Sequence, residues 1–129
     1  MAKKRILVID DEAAFTRMLK LYLEGTRAYE VRIENSGAQG LSAALAFKPD
    51  LILLDIIMPD VDGTQVGAQI QADEDMRRIP IIFLTAVVSR EEVRACEGFI
   101  GGQLFIAKPV SAKDVLKQIE HYVGQKAGA

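Results

Sequence analysis

The chain reads Leu51-Ile52-Leu53-Leu54-Asp55 near its middle, an aliphatic run that ends in a carboxylate. A run without polar alternation is typical of a strand buried on both faces, as in the centre of a parallel sheet. In open α/β sheets, ligands bind just beyond the carboxyl ends of such strands, which is where Asp55 lies. Asp55 is therefore the first candidate functional residue, although an acid that opens a solvated loop would give the same local pattern.

The pattern of an apolar run followed by a polar residue recurs along the chain. Further strands are predicted at residues 5–9, 29–33, 80–85 and 104–107. Helices are predicted at residues 12–24, from a capping box at 36–39, around Val66 and Ile70, from Ser89 through Ile100, and after Ser111. Strand and helix units in strict alternation predict an α/β fold, a doubly wound five-stranded parallel sheet with five helices. Residues 124–129 are expected to form a frayed tail.

Composition describes an ordinary globular domain and narrows the classes of function. The 129 residues are 50% hydrophobic and 26% charged, which suits one domain with one core. The net charge of -2 gives no electrostatic reason to expect a nucleic-acid partner. The first apolar run is too short for a signal peptide, and the single cysteine, Cys96, cannot form an internal disulfide. We therefore expect a cytoplasmic protein with no membrane partner.

Polar side chains stand at four of the predicted strand ends. Asp10 and Asp11 follow the first strand, Asp55 ends the third, Thr85 ends the fourth, and Lys108 follows the last. Strands of a parallel sheet point the same way, so these ends meet at one edge and their side chains should converge there. Each residue alone could be a helix cap or a solvated charge, but the coincidence at four strand ends indicates a site.

The chemistry of these residue types points to phosphoryl transfer. Each contact between two like charges about 4 Å apart costs roughly 4 kcal/mol at an effective dielectric constant near 20, so three converging carboxylates need cations beside them. Lys108 supplies one positive charge, and Mg²⁺ with oxygen ligands is the best match for the remainder. A hydroxyl, a lysine and Mg²⁺ around a carboxylate can bind a phosphoryl group and stabilise its transfer. Asp55 would be the nucleophile and would form an acyl phosphate.

Over residues 4–123 the sequence resembles the receiver domain of two-component response regulators. The resemblance rests on motifs in the family's order and at family-like spacing: Asp10-Asp11, Asp55 with Met58-Pro59 and Asp62-Gly63, Thr85-Ala86, and Lys108-Pro109. It implies a flavodoxin-like fold, similar to that of chemotaxis regulators, with strand order 2-1-3-4-5.

The resemblance also assigns the acceptor and the metal ligands. It implies that Asp55 is the phosphoacceptor. It further implies that Asp11, Asp55 and the backbone carbonyl of Ile57 bind Mg²⁺. Asp10 would contribute through the waters of the metal ion.

Three positions after the central strand have implied roles in recognising the phosphoryl group and responding to it. Thr85 and Lys108 would hold phosphoryl oxygens, and the Lys108-Pro109 bond is expected to be cis. Phe105, three residues before Lys108, matches the family's aromatic switch position, whereas alternation along its strand alone would make it a core residue.

By this resemblance the protein is a phosphorylation-controlled binding module. A histidine kinase or histidine phosphotransfer protein would donate to Asp55. A face made of the predicted fourth helix, the strand at 104–107 and the last helix would then bind a downstream protein or a second copy. The chain would catalyse only its own phosphorylation and a slow dephosphorylation. The dephosphorylation is expected to be slow because Ile57 and Val87, two residues after Asp55 and Thr85, are apolar and cannot orient an attacking water.

Two other functions share parts of this pattern. An aspartyl-phosphate phosphohydrolase usually has a second acid two residues after its nucleophile, and here that position is Ile57. A nucleotide-binding or flavin-binding protein of the same topology would need a glycine-rich first loop. The acidic sequence Asp10-Asp11-Glu12 stands in that place and would repel phosphates without a metal ion.

Overall fold

The computed structural model describes residues 3–86, 99–100, 103–108 and 110–128. The strands are β1 (Lys4–Ile9), β2 (Tyr29–Glu34), β3 (Leu51–Asp55), β4 (Ile81–Thr85), β5 (Phe99–Ile100) and β6 (Gln103–Ala107). The helices within these described ranges are α1 (Ala13–Gly25), α2 (Gly40–Phe47), α3 (Gly63–Ala72) and α4 (Ala112–Gly128). A 3-10 turn, Gly37–Gln39, precedes α2. None of the helices in the described ranges is long and apolar enough to cross a membrane.

The sheet has the predicted parallel topology. Its strand order is β2-β1-β3-β4-β6-β5, and the neighbouring pairs from β2 to β6 are all parallel. Because β6 is the fifth of the long strands, the predicted order 2-1-3-4-5 is confirmed. The sheet also contains a sixth strand that the sequence pattern did not predict, the two-residue β5, which lies antiparallel to β6 at the sheet edge.

The short strand β5 corrects the predicted end of the fourth helix. That helix was expected to include Ile100, but Ile100 pairs with Gln103 in the sheet. The two residues between them in the sequence are Gly101-Gly102, a composition that favours a two-residue hairpin connection over a continuing helix. The rest of the predicted fourth helix, including Cys96, lies outside the described residues.

The central strand is buried on both faces, as its unbroken aliphatic run predicts. All five residues of β3 are buried, and it lies between β1 and β4. Alternate residues of β1 show the same sandwich, since Ile6 and Val8 pack into one apolar cluster and Leu7 and Ile9 into another. Each fully buried aliphatic side chain of this kind contributes about 1.5 to 3 kcal/mol of transfer free energy.

Helices cover both faces of the sheet and complete these two clusters. On one face, α1 and α4 contribute Leu19, Leu23, Val115 and Ile119. On the other face, α2 and α3 contribute Ala43, Ala44, Val66 and Ile70. The packing holds the ends of β1, β3, β4 and β6 in fixed register, and this register aligns the polar residues that follow them.

Two local predictions differ from the structure at helix ends. Ser36 does not cap the turn before α2 with its side chain, because its hydroxyl donates instead to Asp60 Oδ2 at 2.8 Å. Asp60 also accepts from the backbone N–H of Ala38 at 3.0 Å, so a carboxylate from the β3–α3 loop takes over the capping role. At the other end of the chain, residues 124–128 continue α4 where a frayed tail was expected.

Candidate functional site

The predicted site residues meet at the carboxyl edge of the sheet. Asp10 follows β1, Asp55 ends β3, Thr85 ends β4 and Lys108 follows β6. Asp10, Asp55 and Thr85 are all buried, while Asp11 is exposed at the mouth of the site. One carboxylate oxygen from each of the three aspartates lies within 4.8 Å of the others. Separate strands therefore deliver these side chains to one place, as convergence at the sheet edge predicts.

Lys108 is the cation of this site. Its Nζ lies 2.7 Å from Asp10 Oδ2, 2.8 Å from Glu12 Oε1 and 3.7 Å from Asp55 Oδ2. The Phe15 ring lies on another side of the ammonium, with its centroid 5.0 Å from Nζ. Burial alone would lower the pKa of Lys108, but its hydrogen bonds to Asp10 and Glu12 raise it on balance, so the side chain stays charged.

Glu12 is the member of this cluster whose contact with Lys108 the sequence pattern did not predict. In the sequence it stands out only as one of three consecutive acids in the first loop. The available signal was its position directly after Asp11, beyond the end of a buried strand, where a long acidic side chain can reach a lysine on a neighbouring strand end.

The backbone and side chain of Asp10 are held from several directions. Its Oδ1 accepts from the backbone N–H of Glu12 at 2.9 Å, and its Oδ2 accepts from Lys108. Its backbone carbonyl accepts from Asn35 Nδ2 at 2.7 Å, and the same amide donates to Thr16 Oγ1 at 3.0 Å. Both carboxylate oxygens of Asp10 therefore already have donors.

Asp55 carries the clearest electrostatic perturbation of the cluster. Burial and the negative charge of Asp10 raise its pKa, the Lys108 ammonium opposes them, and contact with the Asp11 side chain raises it further, to about 6. A carboxylate in this position is stabilised when a cation binds beside it or when it takes up a proton.

The donor set fits Mg²⁺. The clustered ligand atoms are hard carboxylate oxygens from buried and exposed positions, which suits an ion that keeps several of its waters. Because both oxygens of Asp10 accept hydrogen bonds, Asp11 and Asp55 are the carboxylates best placed to contact a cation directly.

The β3–α3 loop is pressed against the backbone of Asp55. The backbone N–H of Gly63 donates to the Ile56 carbonyl at 2.7 Å, and a Cβ at position 63 would lie 1.9 Å from the Asp55 carbonyl oxygen. No side chain fits there without moving backbone. Asp62 Oδ1 accepts from the Thr64 backbone N–H at 2.8 Å and caps α3. In the Asp62-Gly63 motif, Asp62 therefore caps α3 and Gly63 avoids a clash with the Asp55 backbone.

Ile57 lies in the same loop, two residues after Asp55. It forms an isolated antiparallel bridge with Asp62, and its side chain is 62% exposed. Val87, its predicted counterpart after Thr85, lies outside the described residues.

Thr85 and Phe105 lie on the adjacent strands β4 and β6. Thr85 pairs with Ala107, and its carbonyl accepts from the Lys108 backbone N–H at 2.7 Å. Phe105 is half-buried and packs on Phe83 with ring centroids 5.5 Å apart, so its role in the core is confirmed while its switch role stays a prediction. Pro109 lies outside the described residues, and with it the predicted cis bond.

Known proteins of the same kind share both sequence and fold with this chain. The family model of the response regulator receiver domain matches residues 6–120. The polar-differentiation response regulator DivK of Brucella ovis is 32% identical over 122 residues, covering 94% of this chain and 97% of DivK.

Solved structures agree with these sequence matches. A CheY-like receiver domain protein from Methanospirillum hungatei superposes with a TM-score of 0.78 at 29% identity, covering 98% of each chain. The receiver domain of the sensor histidine kinase PA1611 from Pseudomonas aeruginosa has a TM-score of 0.77 at 26% identity and covers 95% of this chain and 99% of that chain. That structure holds a magnesium ion in its active-site cleft. This chain therefore belongs to the response regulator receiver domains, the phosphoacceptor modules of two-component signalling.

Proposed function

We propose that Asp55 accepts the phosphoryl group and that the donor is a phosphohistidine of a histidine kinase or a histidine phosphotransfer protein. The strongest support is the position of the Asp55 carboxylate at the end of the central strand, 3.7 Å from the Lys108 ammonium and clustered with two further carboxylates. A buried nucleophile between a cation and a set of hard oxygen ligands is suited to attack on phosphorus.

In the transfer step, an oxygen of the Asp55 carboxylate forms a bond to phosphorus as the N–P bond of the donor breaks. The electron pair of that bond remains on the imidazole nitrogen, which takes up a proton from solvent. Asp55 must be ionised to attack, and a pKa of about 6 leaves it mostly ionised at neutral pH. Lys108 and the buried Thr85 would each donate to a phosphoryl oxygen and stabilise the charge there.

Asp11, Asp55 and the backbone carbonyl of Ile57 would hold Mg²⁺, and Asp10 would act through the waters of the ion. When bound, the ion supplies positive charge against the phosphoryl oxygens and the crowded carboxylates. The hydrogen bonds that both carboxylate oxygens of Asp10 already accept support its indirect role. The magnesium-bound receiver domain of PA1611 supports the choice of metal.

The response to phosphorylation would pass through β6. Thr85 and Lys108 are joined by a backbone hydrogen bond, so movement of either residue toward the phosphoryl group would also shift β6, the strand that carries Phe105. The face made of the helix predicted to begin at Ser89, strand β6 and the last helix, α4, would then bind a downstream protein or a second copy of the chain. We place this exchange in the cytoplasm, with turnover limited to the chain's own phosphorylation and slow dephosphorylation.

Intact-mass measurement after incubation with acetyl phosphate and Mg²⁺ tests this proposal. We expect one added phosphoryl group on the wild type and none on Asp55→Asn, while circular dichroism shows that the variant is folded. Asp62→Asn, an acid-to-amide change in the next loop, serves as the matched control and should still accept. An undiminished adduct on Asp55→Asn would move the acceptor to another residue.

A further inference from the structure

Glu12 is held in place by its backbone, and its side chain is not used to cap a helix. Its N–H donates to Asp10 Oδ1 at 2.9 Å, and its carbonyl accepts the first helical hydrogen bond of α1 from Thr16 at 3.1 Å. Glu12 occupies the N-cap position of α1 yet makes no side-chain cap hydrogen bond. A glutamate here therefore gives the helix none of the stabilisation that serine, threonine, aspartate or asparagine would provide.

The Glu12 side chain turns instead to the lysine of the site. Its Oε1 lies 2.8 Å from Lys108 Nζ, whereas Asp55 Oδ2 is 3.7 Å from the same atom, beyond hydrogen-bond distance. The Lys108 side chain is 12% exposed and the Glu12 side chain 61% exposed. Glu12 thus binds the ammonium from the open side of the site.

From these contacts we infer that Glu12 is a positioning residue that holds the Lys108 ammonium away from Asp55 and weakens the grip of the site on a phosphoryl group. The inference rests on the proposed role of Asp55 as the acceptor. When a phosphoryl group arrives on Asp55, the ammonium must approach it, and one of its present partners must yield.

Glu12 is the partner that yields. Asp10 is buried and fixed by further hydrogen bonds, so its contact with Lys108 is costly to break. Glu12 is solvent-exposed, and water can replace Lys108 at its carboxylate. The strength of the contact between Glu12 and Lys108 therefore subtracts from the affinity of the site for the phosphoryl group. The negative charge of Glu12 acts in the same direction, because it lies close to an anionic ligand.

Removing this competition should tighten the binding of a phosphoryl analogue. We expect trifluoroberyllate at saturating Mg²⁺ to bind Glu12→Gln about two- to fivefold more tightly than the wild type, the range set by one half-exposed ion pair. Glu12→Asp keeps the charge but shortens the side chain by one methylene, so it should also bind more tightly. Dissociation constants would be measured by ¹⁹F NMR titration.

Two further measurements separate positioning from general charge effects. Glu30→Gln removes the same charge from an exposed residue paired with Arg5, at the opposite end of β1 and β2, and should leave the affinity unchanged. In the metal-free protein, the ¹⁵N resonance of the Lys108 side-chain ammonium should shift in both Glu12 variants and stay in place in Glu30→Gln.

The outcomes distinguish this inference from the proposed function. If the wild type accepts a phosphoryl group on Asp55 but both Glu12 variants bind the analogue with wild-type affinity, the positioning role is overturned and the acceptor stands. If only Glu12→Gln binds more tightly, charge alone acts and the positioning role is again overturned. Weaker binding by Glu12→Gln would mean that Glu12 organises Lys108 for the ligand, the reverse of the inference. If the wild type neither accepts a phosphoryl group nor binds the analogue, both proposals fall.

Discussion

Replacing Asp55 by asparagine should make the metal-free protein more stable at neutral pH. The folded protein raises the pKa of Asp55 from 3.8 to about 6, so folding opposes ionisation of this carboxyl group. Asparagine has nearly the same shape and stays neutral at every pH. One pKa unit corresponds to about 1.36 kcal/mol, so the change from 3.8 to about 6 sets an upper limit of about 3 kcal/mol for the gain.

The sign of the pH dependence follows from which state binds the proton more tightly. The folded state keeps the proton on Asp55 up to about pH 6, while the unfolded state releases it near pH 3.8. Between these values the folded wild type binds more protons than the unfolded chain, so this group's contribution to stability falls as pH rises. The asparagine variant lacks this loss. Its advantage should be small at pH 4, grow through pH 5 and 6, and level off above pH 7.

Urea denaturation followed by circular dichroism, in chelator and at pH 4, 5, 6 and 7.5, measures this difference. The matched control is Asp62→Asn, since hydrogen bonds from the side chain and backbone of Thr64 lower the pKa of that carboxyl group. Its pH dependence should have the opposite sign, with the wild type favoured at neutral pH. Millimolar Mg²⁺ should shrink the advantage of Asp55→Asn, because the ion stabilises the wild-type carboxylate cluster. Equal stability of the wild type and Asp55→Asn at pH 7.5 in chelator would refute the electrostatic reasoning.

Three further predictions concern the metal, the lysine and the lifetime of the adduct. Mg²⁺ should raise the melting temperature of the wild type, and Asp11→Asn should raise the Mg²⁺ dissociation constant; identical melting in chelator and in Mg²⁺ would contradict this. Lys108→Ala should keep most Mg²⁺ affinity yet lose the coupling of phosphorylation to partner binding or self-association. Pull-down assays and sedimentation velocity on the phosphorylated wild type and the phosphorylated variant would measure this coupling. Ile57→Asn with Val87→Glu should shorten the adduct lifetime about tenfold, a barrier change of roughly 1.4 kcal/mol, when the adduct is timed by mass; unchanged decay would exclude screening by these side chains.

The sequence predicts the location of the site well because parallel strands run in the same direction and so end at the same edge of the sheet. A short aliphatic run such as 51–54, in a chain of alternating strands and helices, indicates a central strand, and parallel neighbours deliver Asp10, Thr85 and Lys108 to the same edge. This reasoning requires no knowledge of side-chain conformation, and the burial of Asp10 and Asp55 agrees with it.

Two features that the sequence did not predict depend on partners distant in sequence, and a third depends on an open strand edge. Ser36 has the spacing of a capping box, but Asp60, a carboxylate 24 residues away, takes its hydroxyl. Glu12 shows the same limitation, because its contact with Lys108 spans 96 residues. The helical spacing of Val93, Cys96 and Ile100 predicts a helix that includes Ile100. That spacing does not reveal that the edge of β6 is open to pairing.

The close approach of Gly63 to Asp55 ties the start of α3 to the end of strand β3. Because a Cβ at position 63 would lie 1.9 Å from the Asp55 carbonyl oxygen, the loop cannot accept a larger residue at that point without a backbone shift. A loop exchanged for residues 57–62 must therefore leave glycine at position 63, and it must also replace the contacts of Asp60 with Ser36 and Ala38 and the cap that Asp62 provides for α3. For protein engineers, this glycine marks the boundary at which a loop from another receiver domain can be joined to this scaffold.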